Sequence, residues 1–167
     1  MVMKKAIHYI SFVFYVLIGI YILVSLPILF GYKPLVVLSG SMKPQFQTGS
    51  LIYYQDYDGQ VLKIGDIITY KDVNNNIVSH RIVKVNKDNY ILRGDNNNTN
   101  DLNPVTKDQI IGIDSNVSIR LVGYYVYFVN KYLVSLLIVT IMVLVAEFVL
   151  SNMKIEPKGG KSNEEII

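Results

Sequence analysis

Residues 10–30 form a run of apolar and aromatic side chains interrupted only by Ser11, Gly19, Ser25 and Pro27, and no Asp, Glu, Lys or Arg lies between Lys5 and Lys33. About 20 such residues in a helix cross a hydrocarbon core, so this run is long enough to span. A secretory signal peptide also starts with a basic stretch, but its apolar core is roughly 7–15 residues and ends in small residues. Here the run is longer and leads into Pro27-Ile28-Leu29-Phe30-Gly31-Tyr32, which reads as an uncleaved anchor. A second apolar run, residues 132–153, lies between Lys131 and Lys154. Residues 133–145 show no polar face, as a soluble core helix would, so a second span is expected. Its one charge, Glu147, is near enough to the end of the run to reach the interface.

Two spans divide the chain into an anchor at residues 1–31, a central domain at 32–130, a second span at 131–153 and a polar, disordered tail at 154–167. Lysines and arginines flank both ends of the spans, so charge decides orientation weakly. The very short N-terminal segment favours a cytoplasmic N-terminus and an exported central domain. Eleven basic and nine acidic residues are scattered from Lys33 to Lys131, which leaves no basic patch for nucleic acid. Cysteine is absent, so disulfides and thiolate metal sites are excluded.

The central domain reads as mainly β. Residues 35–38 are a short apolar run, residues 50–55 and 66–70 are rich in strand formers bounded by Gly49, Gly59 and Gly65, and residues 77–85 alternate. Asn74-Asn75-Asn76 is a hairpin turn by composition, because Asn tolerates left-handed backbone angles. Residues 90–92 and 110–113 give further strands, separated by the loop 94–104. No helix of useful length is predicted between the spans. The aromatic stretch Tyr124-Tyr125-Val126-Tyr127-Phe128 suits a membrane interface.

Three segments of this domain carry reactive groups. Ser39-Gly40-Ser41-Met42-Lys43-Pro44 places two hydroxyls around a glycine just after a strand. His80 is the one histidine outside the first span region and shares a strand face with Val78 and Ile82. An imidazole is the ordinary side chain ready to take a proton near neutral pH. The loop Gly94-Asp95-Asn96-Asn97-Asn98-Thr99-Asn100-Asp101 offers two carboxylates but lacks the spacing and terminal Glu of an EF-hand. Ser41, His80 and a carboxylate at Asp95 or Asp101 would supply a nucleophile, its base and a group that orients the base.

In order, Ser39-Gly40-Ser41-Met42-Lys43-Pro44, Gly65-Asp66-Ile67-Ile68, Ser79-His80-Arg81-Ile82 and Gly94-Asp95-Asn96-Asn97 with Asp101 resemble the motif set of the type I signal peptidases. The resemblance is to the endoplasmic-reticulum and archaeal type, also found in some Gram-positive bacteria, in which histidine replaces the lysine of the common bacterial enzymes. The thirteen residues between His80 and Gly94 leave no room for the large inserted subdomain of many bacterial members. The resemblance implies a compact antiparallel β-sheet catalytic domain, flanked here by two transmembrane helices. It also implies Ser41 as nucleophile, His80 as base, Asp101 as its acidic partner with Asp95 in support, and the Ser41 N–H and Ser39 hydroxyl as oxyanion donors. Leu35, Val36, Val37 and Leu38 would form the edge strand that an extended substrate joins.

The implied activity needs no cofactor or metal. It is removal of N-terminal signal peptides from exported preproteins after a small residue, at the plasma membrane or, alternatively, the endoplasmic-reticulum membrane with a lumenal domain. Its partners would be signal peptides and the lipid bilayer; accessory subunits are left open. The rival reading is an inactive or accessory membrane-anchored binding protein of the same fold. A repressor-type Ser/Lys autoprotease would need a lysine base and a DNA-binding domain, and a purely structural two-span protein leaves the motif order unexplained.

Overall fold

The computed structural model describes residues 2–87 and 89–152; the tail expected at 154–167 lies outside them. Helix α1 (Val2–Ser25) precedes strands β1 (Tyr32–Val36), β2 (Leu51–Asp56), β3 (Ile67–Lys71), β4 (Ile77–Asn86), β5 (Asn89–Arg93), β6 (Val105–Thr106) and β7 (Ile110–Ile119). Helices α2 (Val122–Lys131) and α3 (Leu133–Asn152) follow. The chain divides into two compact units, one holding residues up to Leu17 with those from Leu133, the other Ile18–Tyr132.

In the first unit, α3 and the part of α1 that follows His8 carry mostly apolar side chains. Lys5–Phe30 and Leu133–Leu150 are each long and apolar enough to cross a membrane. The carboxylate of Glu147 on α3 accepts a hydrogen bond of 2.8 Å from the Tyr15 hydroxyl on α1.

The second unit is built on a seven-stranded sheet in the order β1-β2-β7-β3-β4-β5-β6, every neighbouring pair antiparallel. β3 sits centrally and is buried on both faces. Ile68 and Tyr70 join a cluster with Ile82, Leu92 and Val105. Ile67 faces the other way, against Met42, Phe46 and Ile52. The β3–β4 hairpin turns where the asparagines predict it. The Asp72 carboxylate accepts the Asn74 and Asn76 N–H groups at 2.8 Å each, and Asn75 takes a φ of 65°.

Helix α2 departs from the sequence reading, which expected no helix between the spans. Gly123, Val126 and Val129 recur at helical spacing and bury one face. Interleaved tyrosines masked that period; Tyr124, Tyr127 and Phe128 remain half exposed. Gly123 lets the helix lie against the sheet, since a Cβ there would stand 2.4 Å from the Ser50 carbonyl oxygen.

Asp114 on β7 is buried. One carboxylate oxygen accepts from the Thr69 hydroxyl at 3.0 Å, and the other lacks a hydrogen-bond partner among the described residues. Burial pushes its pKa up from 3.8 to about 7, against the Thr69 and Ser79 hydroxyls, which lower it. Unfolding would let this carboxyl lose its proton near pH 4, whereas the folded chain holds it to about pH 7. Stability therefore falls as pH rises through that window and levels off above it. Asp114→Asn should be more stable than the parent at pH 8, by on the order of 2 kcal/mol, and by much less at pH 4.5. Denaturation midpoints of the full chain in detergent at the two pH values check this; an equal difference at both would contradict it.

Candidate active site

The segment after β1 is shaped by two buried anchors. Met42 and Phe46 are 3% and 1% exposed, and the Phe46 N–H donates to the Met42 carbonyl at 2.9 Å, curling the chain behind Ser41. The Thr48 hydroxyl holds the Ser39 carbonyl at 3.0 Å, and the Asn96 N–H holds the Ser41 carbonyl at 2.7 Å. The serine backbone is thus fixed by the core on one side and by the 94–101 loop on the other.

That loop follows β5, which pairs with β4, the strand carrying His80. It closes on itself: the Asn97 N–H donates to Gly94 O and the Asp101 N–H to Leu92 O, each at 2.9 Å. The closure returns Asp101 to His80. The His80 Nδ1 lies 2.7 Å from Asp101 Oδ2, and its Nε2 lies 3.1 Å from Ser41 Oγ.

An ionised carboxylate only accepts, so Nδ1 carries the hydrogen and Nε2 is left bare toward the serine hydroxyl. Burial alone would raise the Asp101 carboxyl, but the hydrogen bond and charge of His80, with the Tyr70 hydroxyl, outweigh it and hold the pKa below the usual carboxylate value. His80 is only 8% exposed, which limits competition from water for both bonds.

The remaining sequence candidates fall into place around this chain of three. Ser39 Oγ lies 3.1 Å from Ser41 Oγ. Leu35 and Val36 are on β1 with Val37 and Leu38 just beyond it, and the side chains of Leu35 and Val37 pack on the Met42–Phe46 cluster. Among the described residues Asp95 makes no hydrogen bond to His80. It forms a two-pronged pair with Arg81, Nε to Oδ1 at 2.8 Å and Nη2 to Oδ2 at 2.7 Å, while Arg81 Nη1 reaches the Gly65 carbonyl at 2.8 Å.

Two residues of the site had no part in the sequence reading of the chemistry: Arg81, and Tyr70, whose hydroxyl donates to Asp101 Oδ2 at 2.9 Å. The hairpin turn at residues 72–76 carried the signal for Tyr70. Counting back from it sets Tyr70 opposite Val78 and Ile68 opposite His80, so Tyr70 and His80 share a face.

No protein-family model matches the chain. Signal peptidase I W of Bacillus subtilis is 42% identical over 89 residues, which is 50% of this chain and 47% of the relative. The signal peptidase complex catalytic subunit SEC11 of Scheffersomyces stipitis is 42% identical over 79 residues, 44% of this chain and 47% of the relative. The human subunit SEC11C is 38% identical over 72 residues, 40% of this chain and 38% of the relative. Over the matched stretch the chain is thus similar to signal peptidase I and to the SEC11 catalytic subunits. It spans about half the length, or less, of these curated relatives.

The glycine of the fourth motif has a plain steric purpose. A Cβ at Gly94 would stand 2.7 Å from the Ser41 carbonyl oxygen, 2.9 Å from Asn97 Nδ2 and 3.0 Å from His80 Nε2. Gly94→Ala is therefore expected to cost about 1–3 kcal/mol of stability through overpacking, seen as a lower thermal midpoint of the full chain. An unchanged midpoint would mean that the loop does not press on Ser41 and His80 as described.

Proposed function

We propose that this chain is a membrane-anchored serine endopeptidase that removes signal peptides from exported preproteins, cutting after a small residue. The observation that carries the reading is the unbroken hydrogen-bond chain from Ser41 Oγ through His80 to Asp101. It joins three segments distant in sequence, and an inactive binding protein of the same fold would have no need of it.

In this mechanism Ser41 Oγ attacks the scissile carbonyl carbon while His80 Nε2 takes its proton. Asp101 steadies the imidazolium so formed. The tetrahedral oxyanion is met by the Ser41 N–H and the Ser39 hydroxyl. As the C–N bond breaks, His80 passes the proton to the leaving amine. Water, deprotonated by the same imidazole, then attacks the acyl ester, releases the peptide carboxylate and restores the serine hydroxyl.

The free edge of β1 suits the substrate. β1 ends the sheet and pairs with β2 alone. The Val37 N–H donates to Ser50 O at 2.9 Å and its carbonyl accepts from the Gly49 N–H at 2.8 Å, so its main-chain groups face inward. Alternation then turns those of Val36 and Leu38 to the open edge, where an extended peptide adds as a strand. Asp95 supports the site through Arg81 rather than through the histidine.

The same reading puts the chain in the plasma membrane with residues 32–130 on the extracytoplasmic side. Likeness to SEC11 supports the endoplasmic-reticulum membrane, with a lumenal domain, as the alternative. Two apolar helices fit either.

Cleavage of a model preprotein by the full chain in detergent tests this. Ser41→Ala and His80→Ala should reduce the rate to background, and Ser39→Ala should lower kcat roughly 10²–10³-fold by removing one oxyanion donor. Alanine variants of Ser41 and His80 that cleave as fast as an active parent would sink the assignment. The two carboxylates should also separate: Asp101→Ala is expected to lose roughly 10³–10⁴-fold in kcat, whereas Asp95→Ala should act mainly on the thermal midpoint. A reversed order would transfer the orienting role to Asp95.

A further inference from the structure

Asp101 Oδ2 accepts two hydrogen bonds, one from His80 Nδ1 at 2.7 Å and one from the Tyr70 hydroxyl at 2.9 Å. The second donor is built in rigidly. Tyr70 is 5% exposed, its ring belongs to the cluster around Ile68, Ile82 and Leu92, and its backbone pairs with Val78 in the β3–β4 ladder. Its ring centre lies 6.5 Å from that of His80.

We propose that Tyr70 is a positioning residue for the reaction, its phenol holding the Asp101 carboxylate in the one rotamer that fixes the His80 ring and tautomer. The inference rests on the serine-endopeptidase reading above.

Two observations give the phenol a task that the core alone would not set. Asp101 comes from a loop rather than a strand, so its side chain has no ladder to hold it; its N–H bond to Leu92 O fixes the backbone but leaves the carboxylate free to turn. In addition, Tyr70 and Asp101 both line an open cavity of about 320 Å³, together with Asp72, Asn97 and Leu102, so water reaches the far side of the carboxylate. A water there would move with the solvent; a phenol anchored in the core does not. Burial, together with the Asp101 charge, pushes the Tyr70 hydroxyl well above the usual phenol range, so it remains a donor at every working pH.

Tyr70→Phe removes the hydroxyl and keeps the ring. In the full chain in detergent, with a preprotein-derived peptide carrying small residues at the first and third positions before the cut, kcat should fall roughly tenfold with KM unchanged. On an Asp101→Ala background the same substitution should cost nothing further, because the group it acts through is gone. With histidine labelled in nitrogen-15, the His80 Nδ1 proton signal should shift or broaden in the variant.

A kcat within twofold of the parent together with an unchanged Nδ1 signal would overturn the proposal, as would an equal loss on both backgrounds, which would mark a purely structural tyrosine. Ser41→Ala separates this from failure of the wider reading. If Ser41→Ala still cleaves, the endopeptidase site is wrong; if it is dead and Tyr70→Phe is normal, only the positioning role falls.

Discussion

The antiparallel register of β3 against β4 governs the site. It sets His80 opposite Ile68 and Tyr70 opposite Val78, so the imidazole and the phenol lie on one face above the Ile82 and Leu92 side chains. The next residue, Arg81, turns to the other face and meets Asp95. A slip of one residue would exchange the two faces, sending the imidazole to the Ile67 side and the guanidinium to the core. The short Asn-rich turn, tied by the Asp72 carboxylate, guards against that slip.

Three carboxylates in this small domain show how surroundings assign different work to one functional group. Asp101 accepts two donors and stays ionised despite partial burial, as an orienting group must. Asp95 is held by a guanidinium in a two-pronged pair that ties β4 to the 94–101 loop. Asp114, beside the Thr69 and Ser79 hydroxyls, is pushed by burial to about pKa 7 and weakens the fold as pH rises. Deeper burial, and hydroxyl donors in place of an imidazole, separate the third from the first.

Much of this was legible in the chain itself. The two apolar runs, the mainly β domain between them and the turn at residues 74–76 follow from hydrophobic period and turn chemistry. The residues alone left Asp95 and Asp101 open as the carboxylate, and the order of the four motifs favoured Asp101, with Asp95 in support. That choice depends on how the loop closes, through the Asp101 N–H to Leu92 O bond and the close approach at Gly94. Helix α2 was missed because its buried positions, Gly123, Val126 and Val129, are hidden among tyrosines that score as strand formers. Tyr70 reads as a strand residue, since a phenol whose ring is core and whose hydroxyl serves a loop 31 residues further along the chain leaves no local pattern, only a register to be counted.

The central claim is that the Ser41 oxygen, made nucleophilic by His80, adds to a substrate carbonyl. A peptide aldehyde with small residues at its first and third positions, labelled with carbon-13 at the aldehyde, reads that addition without needing turnover. The full chain should convert the label to a hemiacetal whose carbon signal differs from that of the free hydrate, and Ser41→Ala should show the hydrate alone. A hemiacetal signal that survives Ser41→Ala, or a parent chain that leaves the aldehyde as hydrate at saturating concentration, would contradict the account.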